Sequence, residues 1–98
     1  MTYGTWLSDL AAAKMLSVSD TVYSKLDDAI TLLSSMPELG AVYDPLYEAH
    51  KPPIPLRVFY AGHYGIYYTP DHERKLIRVH FIEDQRMDPK TRFTGRLG

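Results

Sequence analysis

The chain contains no cysteine, which excludes disulfide cross-links, thiolate metal sites and a cysteine nucleophile. It has no apolar run near the roughly 20 residues that cross a bilayer as a helix. The N-terminus lacks the basic, apolar and small-residue order of a secretory signal. A cytoplasmic protein that does not engage a membrane is the simplest expectation. No glycine-rich phosphate loop follows a strand and no serine sits in a glycine-flanked elbow, so nucleotide hydrolysis and serine hydrolysis lack support. The four histidines, His50, His63, His72 and His80, form no i, i+4 pair, and neither a metal nor a cofactor is expected. Repeats and low-complexity tracts do not occur.

What is present is a globular balance of 45% hydrophobic and 23% charged residues in a chain of 98. That supports one small domain over residues 1–98 with a loose tail from about residue 90. The net charge of -1 hides an asymmetry. Residues 1–50 hold two bases, Lys14 and Lys25, against seven acids, whereas residues 51–98 hold nine bases against five acids. The halves therefore carry -5 and +4, and a polyanion or acidic partner would meet the second half. A solvated surface without a partner accounts for the charge equally well.

Between Ser19 and Met36, the residues Val22, Leu26, Ala29, Ile30, Leu33 and Met36 recur at spacings of three and four, which predicts an amphipathic helix. Ser19 or Asp20 can cap its start, and Pro37 with Gly40 closes its end. Trp6, Leu7, Leu10, Ala13 and Met15 predict a shorter helix over about residues 6–16, so the N-terminal half reads as a helical hairpin. Met1 to Thr5 allow a very short strand at most. Proline at positions 45, 52, 53 and 55 makes residues 40–55 a long loop with an edge strand near Ala41 to Tyr43.

The period then changes to two, predicting strands over Leu56 to Tyr60, Tyr64 to Thr69 and Lys75 to Glu83, joined by turns at Gly62-His63 and Pro70 to Glu73. Strict alternation puts Ile77, Val79 and Phe81 toward the helices, and Leu76, Arg78, His80 and Ile82 on the opposite side. Residues 84–98 read as a short turn or helix and a tail. The fold class is α+β: an N-terminal helical hairpin packed on a twisted antiparallel sheet.

The chemistry-bearing residues gather in the second half: Tyr60, Tyr64, Tyr67 and Tyr68 with Arg57, Arg78 and Arg86. Aromatic rings stack on bases and guanidiniums pair with phosphates, which suits single-stranded RNA. Tyrosine is also a favoured strand residue, and a core role fits each one taken singly. His80 and Arg78 share one strand face, where an imidazole beside a guanidinium forms an acid/base and anion-stabilising pair. A partly buried structural histidine is the alternative.

Three segments carry a family likeness: Leu32-Leu33 running into Met36-Pro37-Glu38-Leu39-Gly40; Leu56-Arg57-Val58-Phe59-Tyr60-Ala61-Gly62-His63-Tyr64-Gly65-Ile66-Tyr67-Tyr68; and Ile77-Arg78-Val79-His80-Phe81-Ile82-Glu83-Asp84-Gln85-Arg86. From Leu10 to Phe93 the chain resembles the RelE/ParE superfamily of bacterial type II toxins. In that resemblance Arg57 matches an arginine on the strand before the turn and Arg86 one just after the last strand. Tyr67 or Tyr68 falls on the strand that commonly lines the groove. Gly65 stands where many ribonuclease members place an arginine, and Glu83-Asp84 where many have a histidine or further bases.

The resemblance implies the toxin of a toxin-antitoxin, or plasmid stabilisation, system: an endoribonuclease that cleaves mRNA on the ribosome. The 2'-OH attack on the adjacent phosphate needs a base, positive charge on the phosphorane-like transition state and an acid for the leaving oxygen. Glu83 or His80 is the candidate base, Arg57, Arg78 and Arg86 the charge, and Tyr67 or His80 the group near the leaving oxygen. A cognate antitoxin, the ribosome and mRNA are the implied partners. The alternatives are a ParE-type inhibitor of DNA gyrase without nuclease activity, or a non-toxic relative that binds antitoxin.

Overall fold

The computed structural model describes residues 2–43 and 55–86. The remainder of the 40–55 loop and the predicted turn and tail beyond residue 86 lie outside the described residues. The long amphipathic stripe forms α2 (Asp20–Ser35), which buries Leu26, Ala29, Ile30 and Leu33. Lys25, Asp27 and Asp28 are exposed, as the stripe requires. Ser19 is the cap: its hydroxyl accepts a hydrogen bond from the Val22 N–H, satisfying one of the donors that a helix start leaves free. Met36 lies past the helix end and is half exposed, so it is not part of the buried stripe.

The first helix begins later than its spacing predicts. Ser8 caps α1 (Asp9–Ser17), accepting from the Ala11 N–H at 3.1 Å, and Trp6 and Leu7 belong instead to a strand. That strand, β1 (Gly4–Leu7), runs parallel to β5 (Leu76–Asp84), pairing Gly4 with Leu76 and Leu7 with Val79. β2 (Ala41–Tyr43), β3 (Leu56–Ala61) and β4 (Tyr64–Asp71) complete a five-stranded sheet ordered β1-β5-β4-β3-β2. All pairs except β1 with β5 are antiparallel. The α+β class stands, but the sheet is mixed rather than wholly antiparallel. The β3–β4 turn falls at Gly62-His63 as predicted, with Gly62 at φ 63°, a left-handed conformation that costs glycine little.

One irregularity decides what faces what. Tyr68 pairs with Val79 but Tyr67 pairs with Phe81, so His80 is an extra residue in β5, a β-bulge. Beyond a bulge the alternation changes phase. Ile77, Val79 and Ile82 therefore join Ala11, Met15, Leu26, Ile30, Leu33, Ile66 and Tyr68 in the core beneath the helices. Phe81 lies on the other side with Leu56, Val58 and Tyr67 in a second, smaller apolar cluster. Phe81 and Ile82 thus exchange the faces that strict alternation assigns them, while Ile77 and Val79 pack toward the helices as expected.

The connection leaving α2 is tied to the sheet by Tyr68. Its hydroxyl donates to the Pro37 carbonyl at 2.8 Å and accepts from the Gly40 N–H at 2.9 Å. Burial raises its pKa, so the phenol stays neutral and keeps the proton it donates. Gly40 makes room for this contact, since a Cβ there would meet the Tyr68 ring and the Val58 carbonyl oxygen at 2.8 Å. Tyr68→Phe should cost about 1–3 kcal/mol in chemical denaturation, because it strands a buried N–H and a carbonyl. A loss below about half a kcal/mol would mean that water replaces the hydroxyl.

Candidate functional site

The helices cover one side of the sheet, and the predicted site residues divide between its two faces. Residues paired across antiparallel strands share a face. Gly65 pairs with Glu83 and Tyr67 with Phe81, so Tyr67 and Glu83 lie together on the side away from the helices, the far face. Arg78 and His80 lie on it too, grouped around Trp6 of β1. The Trp6 ring is centred 5.4 Å from the Arg78 guanidinium carbon and 6.0 Å from the His80 ring.

Tyr67 is held from the end of β5. Gln85 Nε2 donates to the Tyr67 hydroxyl at 3.0 Å and to the Glu83 carbonyl at 3.3 Å. Gln85 takes the space that Gly65 leaves open, for a Cβ on Gly65 would meet Gln85 Nε2 at 2.5 Å and the Tyr67 ring at 3.0 Å. The glycine where the resemblance expects an arginine is thus part of the packing that places Tyr67. Tyr67 and Glu83 are both essentially fully buried, which leaves Arg78 and His80 as the solvent-reaching members of the far face among the predicted residues.

Arg57 belongs to the other side. It pairs with Tyr68, and its guanidinium donates to the Gly40 carbonyl at 2.6 Å and the Glu38 carbonyl at 3.4 Å. Arg86 follows β5 and forms a two-pronged ion pair with Asp84, Nη2 to Oδ2 at 2.7 Å and Nε to Oδ1 at 2.9 Å. The Arg86 side-chain hydrogen bond holds the Asp84 carboxyl down to about 2. Arg78 Nε contacts Asp71 Oδ2 at 3.1 Å, and Arg74 shares that carboxylate. The Arg74 N–H, followed by both guanidiniums, holds Asp71 down to about 2. All three predicted arginines are therefore engaged within the fold. Among the described residues no cluster of His, Asp and Glu could hold a metal ion.

His80 is half-buried, and burial first, then the Arg78 charge, lowers its pKa below 6.5. It is a neutral base at pH 7. The unfolded chain therefore binds the His80 proton more readily than the folded one, so the associated stability is fully present above about pH 6.5 and is lost as pH falls through the lower folded value. Denaturation midpoints measured from pH 7.5 to 5 should fall in the natural chain and fall less in His80→Gln. Identical slopes would place the titration elsewhere.

Sequence reasoning missed Trp6 and Gln85. The signal for Trp6 was available: Ser8 before Asp9 and Leu10 is a helix-cap pattern, and it ejects Trp6 from α1. For Gln85 the sequence offers none.

No family model and no curated protein matches the sequence. Solved structures do match in fold. The RelE–RelB complex of the archaeon Pyrococcus horikoshii aligns over 90% of this chain and 100% of that one, with a TM-score of 0.70 and 14% identity. The isolated E. coli RelE toxin aligns over 98% and 99% at 0.61 and 16% identity, and the intact E. coli RelBE toxin-antitoxin complex over 87% and 99% at 0.61 and 15%. With two helices laid on one side of a five-stranded mixed sheet, this chain has a RelE-like fold.

Proposed function

We propose that the chain is the toxin of a type II toxin-antitoxin pair and acts as a ribosome-dependent mRNA interferase. The observation that carries this reading is that the face of a RelE-like sheet turned away from the helices brings Arg78 and His80 together at solvent, with Tyr67 and Glu83 buried on the same face. His80, neutral at pH 7, takes the proton of the ribose 2'-OH as that oxygen attacks the adjacent phosphorus and the bond to the 5'-oxygen breaks. Arg78 supplies charge to the phosphorane-like transition state, and Arg86 is the further cation the resemblance nominates; Arg57, also nominated, lies across the sheet on the helix-covered side and has no part in this arrangement. Tyr67, oriented by Gln85 and fully buried, is the group assigned to the leaving oxygen and reaches it only in an opened form of the site. Glu83 is the alternative base.

The partners on this reading are the ribosome with its mRNA and a cognate antitoxin, an acidic amphipathic segment that folds against the helices or the basic sheet edge. Induced expression should arrest growth, and co-expression of the product of the neighbouring reading frame should relieve the arrest and yield a complex that survives purification. Growth without arrest, or no complex, counts against the toxin reading. A specific observation favours a second reading. Arg57, Arg78 and Arg86 each have a partner inside the fold, so a phosphate would have to compete for each of them, whereas a ParE-type protein that binds DNA gyrase without cutting RNA needs no complete acid/base set. A supercoiling assay separates the two.

A further inference from the structure

Trp6 is the only tryptophan in the chain, and no part of the chemistry above uses it. The residue is 41% exposed on the far face, unusual for the residue type with most apolar surface to bury. Its neighbours explain the position. Trp6 pairs in register with Arg78, whose guanidinium carbon lies 5.4 Å from the ring centroid, and the His80 ring meets it edge-on at 6.0 Å. Asp71 Oδ2 accepts from Arg78 Nε at 3.1 Å, tethering the guanidinium beside the ring.

The surrounding charge is positive. Arg74 and Arg78 share the one Asp71 carboxylate, and from Asp71 to Arg78 the hairpin carries three cations against two carboxylates. A fixed aromatic and guanidinium surface beside surplus positive charge recognises a flat ring attached to an anion. An acidic peptide fits less well, because a carboxylate seeking Arg78 must displace Asp71, whereas a ring stacking on the indole face turned away from Arg78 leaves that ion pair intact.

We infer that Trp6, framed by Arg78 and His80, is a stacking platform for a nucleobase of single-stranded RNA, and that it holds the strand beside His80. This rests on the mRNA-directed reading and adds to it a residue that positions the substrate rather than reacts with it. Since stacking on an aromatic side chain is worth about 1–3 kcal/mol per base, loss of the ring should weaken RNA binding about 5- to 150-fold.

The test uses the single tryptophan as its own reporter. A six-nucleotide oligoadenylate should quench Trp6 emission in the full chain, and an abasic oligomer of equal length and charge should not. By anisotropy of the labelled oligoadenylate, Trp6→Phe should bind within about threefold of the natural chain. Trp6→Leu, shown folded by circular dichroism, should bind about 5- to 150-fold more weakly. If Trp6→Leu does not fold, the quenching comparison and Trp6→Phe decide alone. Equal quenching by the abasic oligomer, unchanged emission with RNA, or an emission change produced by an acidic peptide but not by RNA overturns the inference. Growth arrest by the natural chain together with unchanged Trp6 emission rejects the platform and leaves the toxin reading standing. Absence of both rejects both.

Discussion

Replacing His80 with Gln should lower the rate of mRNA cleavage by roughly two to four decades, the range that a general base contributes, while the far-ultraviolet dichroism of the domain stays unchanged. Glutamine keeps a polar side chain of similar reach at the bulge and cannot accept a proton at neutral pH. The backbone of that position is held independently of the ring, since the Ser8 hydroxyl donates to the His80 carbonyl at 2.6 Å. A gyrase binder would respond differently: the substitution would act only through packing against Trp6 and Phe81. Cleavage at an unchanged rate would transfer the role of base to Glu83. For Glu83, buried as it is, the reaction would then have to proceed through an opened form of the site.

The second large effect concerns the core. Leu33 is fully buried on the stripe of α2 that packs with Ile77, Val79 and Ile82. Leu33→Ala removes the buried methyl groups and leaves a cavity, at a cost of about 2–5 kcal/mol. A domain of this size holds about 5–15 kcal/mol in total, so the variant should denature at visibly lower urea. A change within about half a kcal/mol would place Leu33 on a surface. The same substitution at Leu32, one residue earlier and 43% exposed, should fall within that small range.

These expectations differ in how much of them the sequence could carry. The α2 helix was legible because three independent signals agree on it: the Leu26, Ile30 and Leu33 stripe, the Ser19 cap and the Pro37 stop. The alternating strands were legible for the same reason, with a glycine turn between two of them. β1 was not, because Trp6 and Leu7 continue the apolar spacing of α1, and only the Ser8 cap distinguishes the two elements. Parallel pairing of a four-residue strand with a partner some 70 residues later leaves no local trace. Nor does the bulge, although Phe81 and Ile82 as adjacent apolar residues are its one outward sign: both are buried, on opposite faces.

The site was legible in composition and not in geometry. The sequence places Arg78 and His80 on one strand, and the structure keeps them on one face through the bulge. It cannot show that Arg57 turns to the carbonyls of Gly40 and Glu38, or that Arg78 meets a carboxylate across a hairpin, since those contacts join segments through the fold. The Asp84–Arg86 pair is local, two residues apart, and could have been read from spacing alone.

Primer extension on mRNA from a reconstituted translation reaction, with and without the purified chain, tests the central claim most directly. The account predicts new 5' ends within the codons occupied by the ribosome, absent from ribosome-free mRNA and strongly reduced with His80→Gln. Intact mRNA beside a parallel loss of gyrase supercoiling would contradict it.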